Sequence, residues 1–204
     1  MTRDPPGDVT RFDLVAPFYD RLRLPASRRR LASALAHADR EVDRVLDVGG
    51  GSGRGLRALD PPEGVVVDPS AGMLAEAARR GLAAVQGDGR ALPVRDASVD
   101  AVLVLDALHH VADRDAVLRE AARVLRPGGV LVVQEYDPTT VPGRALATAE
   151  HLVGFDSAFE TPAETAARLR AAGLPSVVVE RGFAYVVAGV KSGDPSRAPS
   201  KSEP

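Results

Sequence analysis

The sequence predicts a doubly wound α/β sheet, and three observations lead there. Short runs of apolar, β-branched residues recur along the chain, continuous rather than alternating, as in strands buried on both faces. Helical patterns fall between these runs, which is the βαβ rhythm of a parallel sheet. The first run ends in a block of glycines that opens a helix, and sheets of this kind hold their ligands at the carboxyl ends of the strands.

In chain order, residues 1–10 read as loose. Residues 11–20 (RFDLVAPFYD) form an amphipathic stretch interrupted by Pro17. Pro25 suits the first turn of a helix, and Leu31, Leu35 and Ala38 share its face at i, i+4 and i+7. Strands are expected at Val45–Val48, Gly64–Asp68, Ala83–Gln86, Val99–Leu105 and Val130–Val133, with helices at Ala71–Arg80 and Ala116–Leu125. Pro127-Gly128-Gly129 is a stop signal for the second of these helices. A variable-looking insert follows residue 136. A helix from Pro162 to Ala172 closes at Gly173, and Val177–Val179 with Phe183–Val190 reads as a closing strand pair about Arg181-Gly182.

Bulk properties narrow the function. A chain of 204 residues fits one large domain, long enough to bury roughly 70% of its unfolded surface without a staple. There is no cysteine, which excludes disulfides, thiolate catalysis and Cys-ligated zinc. The 26 Lys and Arg against 28 Asp and Glu leave a net charge of −2, with no basic surplus for phosphate, so no nucleic acid partner is expected. No transmembrane segment is expected either, since no run of ~18 apolar residues occurs. The polar start, MTRDPPG, lacks a signal-peptide core, and a cytoplasmic location is expected.

Three points carry candidate chemistry. Asp47, Gly49, Gly51 and Gly53 belong to DVGGGSG, directly after the first strand, where glycine lets backbone approach a ligand. The plain alternative is a tight turn that binds nothing. A dinucleotide site wants G-x-G-x-x-G there, and reading from Gly49 or Gly51 the last position is Arg54 or Leu56, so that pattern fails. An acidic residue at this strand tip suits an ammonium group. Asp68 ends the second strand and can accept two ribose hydroxyls, or it can cap the helix that follows, a task open to Ser70 as well. Asp88 and Gly89, after the third strand, can meet the edge of a base or simply form a turn.

Together these stretches resemble the class I S-adenosylmethionine-dependent methyltransferases, through VLDVGGGSGR (45–54), VVVDPSAGML (65–74), GDGRALPVRDASVDAVLVLDALHHV (87–111) and LREAARVLRPGGVLVV (118–133). The resemblance covers residues 43–136. It implies a seven-stranded Rossmann-like sheet of order 3-2-1-4-5-7-6 with strand 7 antiparallel. It also implies S-adenosyl-L-methionine as cofactor, with Asp47 and the glycines 49–53 at its methionyl part and Asp68 at the ribose. Pro69 and Met73 would flank the adenine, with Asp88 and Gly89 at its edge, and Asp106 and Ala107 would line the methyl-transfer side. The chain would then be one domain over 1–191, comprising a helical cap (1–42), a cofactor-binding core (43–136) and an acceptor-side insert with closing strands (137–191), followed by a disordered tail (192–204).

RFDLVAPFYDRL (11–22) and VVVERGFAYVVAGVK (177–191) are loosely similar to the C-methyltransferases of menaquinone and ubiquinone biosynthesis. That group carries an Arg-Asn pair where this chain has His109-His110. The reading is methyl transfer to a small-molecule acceptor, with a quinone precursor as one candidate. The competing readings are a non-catalytic S-adenosylmethionine-binding module and, disfavoured by the glycine register, an NAD-dependent oxidoreductase. His109 and His110 are candidate bases, since imidazole titrates near neutral pH; the alternative is packing in the loop. No metal site is expected, because neighbouring His side chains should diverge. Tyr19 is a candidate to close over the cofactor. Leu152, Phe155 and Phe159 form either an apolar lid or a packed helix face.

Overall fold

A computed structural model describes residues 9–13, 16 and 26–193. Seven strands, β1 (Arg44–Val48), β2 (Glu63–Asp68), β3 (Ala83–Gln86), β4 (Val99–Leu105), β5 (Leu125–Tyr136), β6 (Ser176–Glu180) and β7 (Ala184–Val190), form one sheet. Their order is β3-β2-β1-β4-β5-β7-β6, with β7 antiparallel to β5 and β6 and the other pairs parallel, as the sequence led one to expect.

Among the described residues, helical turns occur at 9–13 and six complete α-helices accompany the strands: α1 (Arg28–Leu35), α2 (Arg54–Leu59), α3 (Ala71–Arg79), α4 (Arg114–Val124), α5 (Val141–Leu152) and α6 (Pro162–Ala171). Side chains alternate across a strand, and the sheet sorts its apolar residues accordingly. Leu46, Val102, Val104, Leu131, Val133 and Tyr185 face α4 and α6 through Leu118, Ala121 and Leu169. Val45, Ala101, Leu103, Val130, Val132 and Val186 face the other layer, through Leu31, Leu56 and Ala77 of α1, α2 and α3. All seven residues of β4 are buried, which is why, apart from the ion-paired Asp100, that strand reads as a continuous apolar run.

The structure departs from expectation in three places. β5 starts at Leu125 and ends at Tyr136, longer at both ends than the apolar core Val130–Val133, with Pro127 and Gly128 taken into it. α1 opens at Arg28 behind the N-cap Ser27, whose hydroxyl accepts the Arg30 N–H, so Pro25 is not its first residue. α5 has no counterpart in the sequence pattern. Its starting signals are local, Thr140 capping Gly143 N–H and a proline in the first turn. Its buried residues are only Gly143 and Glu150, so no apolar stripe announces it.

The sheet's register decides where the acidic residues meet. Val48 pairs with Val67 and Asp47 with Leu103, so the tips of β1, β2 and β4 end together and bring Asp47, Asp68 and Asp106 to one edge. The opposite edge is tied by Asp100, buried under Arg40 (2.8 Å), Arg126 (2.9 Å) and the Arg44 N–H (3.0 Å). Burial works against its charge, but these donors win and hold its carboxyl below the usual range.

Candidate active site

A cavity of about 580 Å³ opens at the carboxyl ends of β1, β2 and β4, a size ordinary for a small-molecule site. Asp47, Gly49, Gly51, Asp68, Pro69, Met73, Asp88, Gly89, Asp106 and His110, all singled out from the sequence, line it. Gly53 and His109 do not. Gly53 adopts φ +79° at the start of α2, a conformation that favours glycine, and its place there is structural. Tyr19 lies outside the described residues.

The glycine loop is shaped from both sides. Gly49 and Gly51 have φ of +65° and +55°, conformations that other residues reach only at a cost. A Cβ on Gly49 would meet the Ala107 side chain at 2.8 Å. Asp68 Oδ2 accepts the Gly51 N–H (2.9 Å) and Oδ1 accepts the Ser70 N–H (2.8 Å). Ser70 is the N-cap of α3, accepting the Met73 N–H (3.1 Å). The capping task therefore falls to Ser70, yet Asp68 is not released by it, because each of its oxygens already serves the backbone. Asp68 lines the cavity and its oxygens keep further lone pairs, and burial pushes its carboxyl up.

Asp47 is the anomaly of the site. It is 1% exposed, and neither carboxylate oxygen makes a well-formed hydrogen bond. Burial pushes its pKa up to about 7, offset only in part by the Arg54 charge and the Leu56 backbone, while Asp68 and Asp106 push the same way as burial. Buried carboxylates are ordinarily bonded, so this one stands ready for a cationic donor.

Asp106 closes the tip of β4 in a left-handed conformation, φ +53°. Arg54 Nη2 (3.0 Å) and Gln134 Nε2 (3.0 Å) hold its two oxygens. Asp88 forms the turn that was the plain alternative, accepting the Arg90 N–H (2.8 Å), and its carboxylate is gripped by the Arg90 guanidinium at 2.7–3.1 Å. The Arg90 hydrogen bond lowers the Asp88 pKa, so the carboxylate stays charged.

Sequence reasoning missed Arg54, Gln134, Arg90 and Phe12, which line the cavity too. Arg54 stood in the glycine motif as its last letter and was legible. Phe12 was not, because its place depends on docking of residues 9–13 against α3, where Asp13 accepts from the Ser70 hydroxyl (2.6 Å) and the Gly72 N–H (2.9 Å).

The two histidines part company. His109 is 2% exposed and its Nδ1 meets Glu135 Oε2 at 2.5 Å. Glu135 Oε1 also accepts the N–H groups of Ala107, Leu108 and His109, so this carboxylate latches the whole turn after β4. Burial favours the neutral imidazole, but the Glu135 charge and hydrogen bond, with Glu150, outweigh it and raise the His109 pKa. His110 forms part of the cavity wall, with Nδ1 at Ser157 Oγ (3.3 Å) and Nε2 without solvent-accessible surface. Around it, Phe12 packs edge-on (5.0 Å) and Phe155 at a tilt (5.3 Å), while Phe159 stacks on His109 (4.3 Å). The Phe155 and Phe159 half of the expected lid is thus packed against the histidines, and Leu152 is 79% exposed and outside it.

Residues 46–133 match the sequence family described as a methyltransferase domain. The demethylmenaquinone methyltransferase of Mycolicibacterium vanbaalenii is 34% identical, over 87% of this chain and 90% of that protein. Among solved structures, the complex between the Haloferax volcanii Trm112 methyltransferase activator and a methyltransferase superposes with a TM-score of 0.73 and 26% identity, over 94% of this chain and all of that one. A SAM-dependent methyltransferase of Thermotoga maritima gives a TM-score of 0.68 and 26% identity, over 90% and 94% of the two chains. By the match to this domain family and the 34% identity to the Mycolicibacterium vanbaalenii protein over most of both chains, this chain belongs to the class I S-adenosylmethionine-dependent methyltransferase family.

Proposed function

We propose that this enzyme methylates a planar, largely apolar small molecule, with a demethylated quinone as the first acceptor to try, and that the cavity holds S-adenosylmethionine through Asp47, Asp68 and the glycine loop. The observation that carries the cofactor assignment is the buried Asp47 carboxylate without a well-formed hydrogen bond. Asp47 would accept from the cofactor's ammonium group, which fits its unused acceptor oxygens. The glycines 49–51 give backbone access beside it, Asp68 has lone pairs for ribose hydroxyls, and Pro69 and Met73 offer apolar contact for a base. Asp88, already paired with Arg90, keeps acceptor capacity for an exocyclic amine.

Bound there, the cofactor supplies a methyl group already activated on a sulfonium. The chain's own task is then mainly to align an acceptor and to exclude water. Asp106 and Ala107 border the acceptor side. We assign both histidines to holding that wall rather than to proton transfer. A base must come within hydrogen-bond reach of the proton it removes, whereas His109 lies off the cavity and the nitrogens of His110 are turned to Ser157 or buried. The aromatic rings of Phe12 and His110 on the cavity wall, backed by Phe155, support a planar acceptor, and the name of the relative above supports a quinone.

A cytoplasmic site of action and the absence of a nucleic acid partner belong to the same reading. The first rests on the cofactor being a metabolite of the cell interior, the second on the net charge of −2. No helix of the described residues is long and apolar enough to cross a membrane.

Calorimetric titration with S-adenosylmethionine, S-adenosylhomocysteine and NADH tests the cofactor, and methyl transfer to reduced demethylmenaquinone analogues tests the acceptor. Binding of the first two ligands with turnover is the expected result. Binding without turnover on any quinol would leave the cofactor assignment standing and remove the acceptor assignment. Binding of NADH alone would remove both.

A further inference from the structure

A cluster beside the acceptor wall is left unused by methyl transfer. Neighbouring histidines are expected to diverge, yet in the single 3₁₀ turn Leu108–His110 the rings of His109 and His110 lie 4.1 Å apart between centroids. Glu150 of α5 reaches the same point and is 6% exposed. One ligating atom from each of the three residues lies within 4.8 Å of the other two.

His109 Nε2 supplies an independent observation. The side chain is 1% exposed and this nitrogen makes no hydrogen bond. It faces Glu150 Oε2 at 3.6 Å, too long for a hydrogen bond. Four ligands at zinc bond lengths of about 2.0–2.1 Å are separated by roughly 3.3 Å in a tetrahedron, so the gap is near that of two ligands sharing an ion. The other ring nitrogen of His109 is held by Glu135, the arrangement in which an outer carboxylate orients a ligating imidazole. Glu150 is steadied in turn by the Ser157 hydroxyl (2.6 Å).

We propose that His109, His110 and Glu150 form a binding site for a divalent transition cation of the zinc type. Two imidazoles and one carboxylate are a donor set that zinc takes with a further position left for water or substrate, whereas magnesium and calcium favour oxygen throughout. Glu135 and Glu150 on either side of the pair give the site the negative charge a dication needs. An ion here would clamp α5 and the loop through Ser157 to the turn after β4, fixing the wall of the acceptor cavity. This site stands or falls independently of the acceptor's identity.

The test is titration of the full chain, free of any affinity tag, with Co²⁺ and then Zn²⁺, read by visible absorption. One Co²⁺ per chain is expected, with the strong bands of a four- or five-coordinate ion, displaced by Zn²⁺. Glu150→Gln and His110→Ala, each checked for native circular dichroism, should weaken binding at least ~10-fold. Exposed His151, next to Glu150, serves as control, and His151→Ala should leave binding unchanged. Absence of stoichiometric binding, a weak six-coordinate spectrum, or affinity indifferent to Glu150→Gln and His110→Ala would each overturn the proposal.

Discussion

Asp68 Oδ2 accepts the Gly51 backbone N–H at 2.9 Å, so the tip of β2 holds the shape of the loop that follows β1. One carboxylate thereby does two things at once, setting the glycine loop and facing the cavity. Asp68→Ala should remove a charge-assisted contact of roughly 1.5–3 kcal/mol to the ribose, lowering S-adenosylmethionine affinity about 10- to 150-fold. Loss of the loop's anchor adds to this. Calorimetry measures it directly, and an affinity that survives the substitution would reject the ribose assignment.

Asp47 predicts opposite pH dependences for stability and for binding. Its pKa is raised from 3.8 to about 7 in the folded chain, chiefly by burial. The native state therefore keeps a proton that the unfolded state loses. Stability from this group is fully present below pH 3.8 and is lost as pH rises toward 7, by up to about 1.4 kcal/mol per pH unit. Cofactor binding should run the other way. An ammonium group pairs with the ionised carboxylate, so affinity should rise up to ~10-fold per unit as pH approaches 7 and then level off. Proton release on binding at about pH 6, seen as a dependence on buffer ionisation heat, checks the same point. Asp47→Asn should flatten the profile.

His109 and His110 should separate on substitution. His109→Ala leaves Glu135 without its imidazole partner inside the protein, and removal of one member of a buried pair costs about 3–5 kcal/mol. Its thermal midpoint should fall clearly. His110→Ala should destabilise less, because its ring is only partly buried. Both variants that remain folded should bind S-adenosylmethionine nearly as the parent does. A His110→Ala enzyme that binds normally but loses turnover, together with the acid limb of its pH–rate profile, would restore the base role.

Ala97 offers a test of backbone strain away from the site. It is exposed and sits at φ +46°, where an L-residue costs roughly 1–2 kcal/mol. Glycine relieves that strain but adds about 0.4–1 kcal/mol of unfolded-state entropy. Ala97→Gly should therefore stabilise the chain by about 0.5–1 kcal/mol in chemical denaturation, with cofactor affinity unaltered.

Much of the fold could be read from local pattern because β1, the end of β2 and β4 are buried on both faces. A strand with no solvent side is apolar wherever no partner is at hand, and Val99–Leu105 matches β4 residue for residue, Asp100 being held by Arg40 and Arg126. The same logic fails for α5. Its buried residues are a glycine and a glutamate, so a helix that places Glu150 beside His109 looks like a polar insert. Phe12 fails differently, since nothing near it in sequence predicts that Asp13 will dock on the start of α3.

Sequence by itself determined the sheet, the glycine loop and the acidic strand tips, because each depends on residues adjacent along the chain: apolar runs, positive-φ glycines, an aspartate at the end of a strand. Tertiary structure alone decided what those carboxylates do. Asp47 is left without a well-formed hydrogen bond and Asp68 is tied to Gly51 only when β1, β2 and the loop are brought together in register. The convergence of His109 and His110 was likewise invisible in their adjacency. It arises because Glu135, from β5, latches the turn that carries them and Glu150, from α5, reaches the same point. Desolvation and charge, which fix the chemistry of all these groups, depend on neighbours that only the folded chain supplies.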